Sequence, residues 1–151
     1  TYEQRIEILL TKQPYVTKVF CDEPDIDLHR LKENTEFVWL ARKNKLEHFL
    51  SLTLAIDTGV FNIHEGETYQ QPETLKFKDH HIDAYERVLE GQKKFYQKYK
   101  DLFKYELTYE EMFENNPWGF VDDGTKTIKL NHYSDKFIEQ ARHIAEQLDW
   151  I

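Results

Sequence analysis

Between Asp79 and Tyr105 the apolar and aromatic side chains return in alternating steps of three and four: Ile82, Tyr85, Leu89, then Tyr96, Tyr99 and Phe103, with Gln92 filling the one polar step. Val88, Phe95 and Leu102 widen the stripe, and this period predicts a long amphipathic helix. Its charges are polarised. Asp79, Asp83, Glu86 and Glu90 lie in the first half, and Lys93, Lys94, Lys98, Lys100 and Lys104 in the second, as the helix dipole favours. Gly91 interrupts the pattern beside Gln92, and a helix-interior glycine costs about 1 kcal/mol relative to alanine. The pair therefore marks either close packing or a polar site.

The same reading places a first helix over 2–13, where Tyr2, Ile6, Leu9 and Leu10 share a face before Pro14. Tyr15 to Phe20 is β-branched and aromatic, and reads as an edge strand or an extended connection. Residues 35–58 carry two patterns. Thr35 and Gly59 can cap a helix, whereas Leu50 to Asp57 alternates strictly, as a half-buried strand does. The caps favour helix. Residues 59–78 read as a loop with short strands at 60–63 and 75–78. A short helix over Tyr109–Glu114 stops at Asn115-Asn116-Pro117. Trp118–Val121 and Thr127–Leu130 flank Asp123-Gly124, a hairpin signal. Ser134 caps a final helix, with Tyr133 and Ile138 as its hydrophobic staple and Phe137, Ile138, Ala141, Ile144, Ala145 and Leu148 as its stripe. The expected fold is α+β and predominantly helical, with three to four helices and a small antiparallel hairpin near the C-terminus. Residues 1–151 are expected to form a single globular domain.

Composition narrows the function classes. At 151 residues, 40% hydrophobic and 15% aromatic, the chain supports a folded core rather than disorder. A net charge of −8 argues against direct nucleic-acid binding, which needs a basic surface, and favours basic partners. Cys21 is the single cysteine, so no internal disulfide forms, which fits a reducing, cytoplasmic setting. No apolar run approaches the ~20 residues that span a bilayer.

Catalytic signals are sparse. Asp79-His80-His81-Ile82-Asp83, with His64 in the preceding loop, is the candidate metal set: His64, His80, His81 and Asp83. Adjacent helical residues diverge by about 100°, so His80 and His81 are not expected to face one ion together. The HExxH and paired-cysteine patterns do not occur. Ser51 and Ser134 lack a nucleophile-elbow context, the glycines are scattered singly, and 122–128 fails the calcium-loop spacing. The pairs Glu110/Glu114 and Glu86/Glu90 are expected to be solvated faces. No catalytic residue is assigned and no cofactor is expected.

One tract stands apart. Residues 106–123 hold six carboxylates (Glu106, Glu110, Glu111, Glu114, Asp122, Asp123) among Tyr109, Phe113, Trp118 and Phe120, with no Lys or Arg. Aromatic rings supply contact area and carboxylates supply steering, the components of a protein-binding surface. The expectation is a small acidic binding protein of inhibitor, immunity or adaptor type, more readily that than an enzyme. Tyr109, Glu110, Glu114, Trp118, Asp122 and Asp123 would contact a partner's basic patch. The stripe 82–103 offers a homodimer contact. The alternative is a metal-dependent hydrolase built on residues 64–83. If the chain reverses near Leu107, the tract would lie against Lys93 to Lys104 and be partly neutralised by them.

Overall fold

A computed structural model describes residues 19, 21, 26–33, 35–60, 77–115 and 133–151. In chain order these form a 3-10 turn (Leu28–Arg30), β1 (Phe37–Ala41), α1 (Lys45–Thr58), α2 (Asp79–Tyr99), a second 3-10 turn (Lys100–Leu102), β2 (Phe103–Thr108), α3 (Tyr109–Asn115) and α4 (Asp135–Gln147). β1 and β2 pair side by side and run parallel. The antiparallel hairpin expected near the C-terminus is thereby corrected. Parallel strands need a long crossover, and here α1 and α2 intervene in sequence between the two partners. Residues 118–130, where the hairpin was expected, lie outside the described residues, as do 2–13, most of 15–20, 61–63 and 75–76.

Residues 35–58 turn out to be a strand followed by a helix. Phe37-Val38-Trp39-Leu40-Ala41 is β-branched and aromatic, and Asn44, not Thr35, starts α1 by accepting the Glu47 N–H at 3.1 Å. Gly59 ends α1 in the left-handed region at φ 71°, as its position at C′ predicts. The alternation of 50–57 is overridden by packing, because Phe49, Leu50, Thr53, Leu54 and Ala55 are buried at helical spacing.

α2 stops six residues earlier than its stripe suggests. Phe103-Lys104-Tyr105-Glu106-Leu107 changes the period from 3.6 to 2, and the Lys100–Leu102 turn carries the chain into β2. Close packing is not the reason for Gly91, since a Cβ added there meets nothing within 4 Å.

α4 begins as predicted, with Ser134 Oγ accepting the Phe137 N–H at 3.3 Å. The ring that Tyr133 stacks on is Phe137, at 5.3 Å between centroids. Leu148 leaves the stripe and is 39% exposed. The Trp150 N–H donates to Ala145 and the Asp149 N–H to Glu146, a Schellman end with Asp149 at φ 53° in place of glycine.

The chain divides into two compact units. Unit 1 comprises Thr1–Leu40 and Arg87–Leu107. Its core joins Ile26, Leu28 and Tyr99, with Val19, Phe37, Phe95, Leu102 and Phe103 packed around them. The Tyr99 hydroxyl donates to the Ile26 carbonyl at 2.8 Å, and Trp39 lies against Phe95, Tyr96 and Phe103. Unit 2 comprises Ala41–Glu86 and Thr108–Ile151. There α1 packs on α4, Phe77 stacks on Phe49 at 5.2 Å and on Phe137 at 4.1 Å, and Trp150 meets Phe49 and Tyr85 edge-on. Charge divides with the units. Unit 1 holds eleven bases and eleven acids, whereas unit 2 holds nine bases and seventeen acids, so the whole −8 belongs to unit 2.

Candidate functional site

Two groups of side chains in unit 2 carry its unusual electrostatics. The first is built where α1 ends and α2 begins. His81 is the third residue of α2, and its Nδ1 accepts the Lys78 backbone N–H at 3.2 Å, while its own N–H donates to the Lys78 carbonyl at 2.9 Å. This is the return arm of a capping box, with imidazole in the place usually held by Glu or Gln. Because Nδ1 accepts, the ring proton sits on Nε2, which donates to Asp57 Oδ1 at 2.9 Å. Lys78 Nζ reaches the same oxygen at 3.0 Å. Burial pushes the Asp57 carboxyl up, but the Lys78 and His81 bonds outweigh it and hold Asp57 below the ordinary carboxylate value.

His80 stands beside this pair, its ring edge-on to that of His81 at 4.2 Å. One ligand atom each from Asp57, His80 and His81 lies within 4.8 Å of the others. The structure thus brings together two of the four predicted metal residues. Asp83 is not part of the set, and His64 lies outside the described residues. The 100° divergence separates the two histidines along the helix, but the imidazole arms are long enough to converge again at its first turn. Asp57 carried no signal in the sequence, because it lies 24 residues from His81. Both His81 nitrogens are engaged, so the ring has no free lone pair with which to act as a base.

The second group surrounds the start of α1. Glu110 grips two consecutive amides: Oε2 accepts from Lys43 N–H and Oε1 from Asn44 N–H, each at 3.1 Å. Burial raises the Glu110 carboxyl, and the two amides with nearby Arg42 more than reverse this, leaving it below its ordinary value. The Arg42 guanidinium lies 4.2 Å above the Tyr109 ring. Beneath them the Tyr85 hydroxyl donates to the Lys45 carbonyl at 3.0 Å, and His48 Nδ1 is 3.5 Å from that hydroxyl. His48 is pushed down to about 4, first by burial and then by Arg42 and Lys45, against the opposing pull of Glu110. Burial also raises Tyr85 and lowers Lys45.

Other acids of the tract are engaged as well. Glu111 accepts the Thr108 N–H at 2.8 Å and the Thr108 hydroxyl accepts the Glu111 N–H at 3.2 Å, a complete capping box at the head of α3. The Thr-x-x-Glu spacing that announces it is legible in the sequence. In unit 1, Glu106 accepts the Tyr96 hydroxyl at 2.8 Å. Backbone amides and hydroxyls thus engage these three acids. Lys94 instead pairs with Glu90, and Lys104 with Glu36. Among the predicted contact residues, Tyr109 lies under Arg42 and Glu110 holds the Lys43 and Asn44 amides. The α3 backbone includes Glu114, whereas Trp118, Asp122 and Asp123 lie outside the described residues.

In the stripe proposed for dimerisation, Tyr85 is 0% and Tyr99 1% exposed, whereas Ile82, Leu89, Tyr96 and Phe103 are half-buried. Among the described residues no helix is long and apolar enough to cross a membrane. No protein family, curated protein or solved structure matches the chain.

Proposed function

We propose that the chain is a non-catalytic binding protein whose acidic unit engages a basic surface on a protein partner. The observation that supports this reading is the segregation of charge. Unit 1 is balanced, and unit 2 carries the full −8. A like-signed field concentrated on one compact unit raises encounter rates with oppositely charged partners and discourages acidic ones. Within the acid and aromatic tract, Glu110 and Glu111 are tied to backbone amides, and Tyr109 lies under Arg42. We assign these residues to support of the surface, and the direct contact to Glu114, Trp118, Asp122 and Asp123.

The test compares two charge reversals of equal size. The full chain carrying Glu114→Lys and Asp122→Lys is set beside one carrying Glu90→Lys and Asp101→Lys in unit 1. Each is used to capture partners from the native host, with salt elution and circular dichroism as controls. The expected result is that the unit 2 reversal loses a basic, salt-eluted partner which the unit 1 reversal retains. Equal retention by both variants, or a partner insensitive to salt, overturns the reading.

A further inference from the structure

We propose that Asp57, His80 and His81 form a site for a divalent transition-metal ion of zinc type, in which the Lys78 ammonium stands in for the ion. This is independent of the partner reading above. The donor chemistry selects the class of ion. Two imidazoles and one carboxylate suit zinc and its neighbours, whereas calcium and magnesium take oxygen ligands. Three protein ligands with a fourth position left to water is also a common zinc arrangement.

The geometry needs only a modest contraction. Metal–ligand bonds of about 2.0–2.2 Å set tetrahedral ligand atoms roughly 3.4 Å apart, against separations of at most 4.8 Å here. His80 is exposed, so its ring can swing to close the gap, while the His81 side chain is 0% exposed and fixed by its neighbours. The site is already organised around a cation. Lys78 Nζ sits 3.0 Å from Asp57 Oδ1, and its side chain is 53% exposed, so it can leave to water at little cost.

Binding has a definite effect on His81. A metal at Nε2 takes the lone pair there, so the single ring proton moves to Nδ1, opposite the Lys78 amide. The metal therefore replaces the Nε2–H bond to Asp57 and breaks the Lys78 amide bond to Nδ1, leaving that N–H to water, while tying the last turn of α1 to the first turn of α2.

The experiment titrates zinc chloride into the full chain, purified without a histidine tag, by calorimetry near neutral pH. His81 is buried and caps a helix, so its replacement risks unfolding. His80 and Lys78 carry the test instead. One zinc per chain is expected, with His80→Ala weakening affinity at least about tenfold, since even outer-shell losses cost 10–100-fold. Lys78→Met should tighten binding several-fold by removing the competing ammonium. Zinc should raise the melting temperature of the native chain and of Lys78→Met, by linkage, but not that of His80→Ala. Hydrogen exchange at the Lys78 amide should accelerate with zinc. No zinc binding, binding that survives His80→Ala, or weaker binding by Lys78→Met each overturns the proposal.

Discussion

The two units solve the same packing problem with different materials. Unit 1 buries Ile26, Leu28, Leu31 and Tyr99, with one hydroxyl among them, and carries no net charge. Unit 2 buries His81, Thr53 and Tyr85 beside Phe49 and Leu54, and carries all of the net charge. Its polar groups join segments remote in sequence: Asp57 to His81, Tyr85 to Lys45, Asn44 to Glu110, and Tyr133 to Leu50. Hydrogen bonds of this kind add little net stability but discriminate against wrong pairings, the more so the more deeply the partners are buried, as for Tyr133 and Leu50. The comparison teaches that unit 2 ties remote segments through polar links where unit 1 relies mainly on apolar contact, and it can be broken in three places.

The largest effect is on pH. His48 binds its proton less readily in the folded chain than in the unfolded one, so the unfolded state holds more protons as the solution is acidified. The stability tied to neutral His48 is complete above its ordinary value of 6.5 and drains as the pH falls toward about 4. About 3 kcal/mol is lost across that window, at 1.36 kcal/mol per unit. Urea unfolding at both limits should show this loss in the native chain and a flatter profile in His48→Gln. An unchanged profile in His48→Gln would place the acid sensitivity elsewhere than this half-buried ring.

Thr53 supplies the next effect. Its hydroxyl is buried and has no hydrogen-bond partner among the described residues, so Thr53→Val removes a desolvated polar atom at nearly constant shape. A gain of about 1–2 kcal/mol is expected in the same unfolding assay. A loss would show that the hydroxyl is satisfied and that unit 2 has no such weakness. The smallest effect tests unit 1. Gly91→Ala places a methyl in open space within α2 and should stabilise by about 1 kcal/mol through helix propensity alone. If it destabilises instead, Gly91 has a role that the packing of unit 1 does not reveal.

What could be read from the sequence was local. The Ser134 cap, the Gly59 stop and the buried faces of α2 and α4 depend on residues within one or two turns, and they are found where spacing put them. The parallel pairing of β1 with β2 depends on residues more than sixty positions apart, which no short-range pattern encodes. The candidate sites divide in the same way. His80 and His81 were visible as a ligand-rich pair, whereas Asp57 enters only because α1 brings its last turn to them. Glu110 was legible as an acid, but the Lys43 and Asn44 amides it grips lie 67 and 66 residues away. A surface role for Tyr109 and Glu110 was inferred from composition alone, and composition does not record which charges already have partners.

The junction between β2 and α3 has no connecting residue, since Thr108 closes the strand and Tyr109 opens the helix. An inserted residue between Thr108 and Glu110 would turn the helix by about 100°, swing Glu110 off its two amides and break the Thr108–Glu111 box at once. Substitutions at this point can be graded, but changes of length cannot. Natural variants of this chain should keep the count of residues across 108–111 fixed.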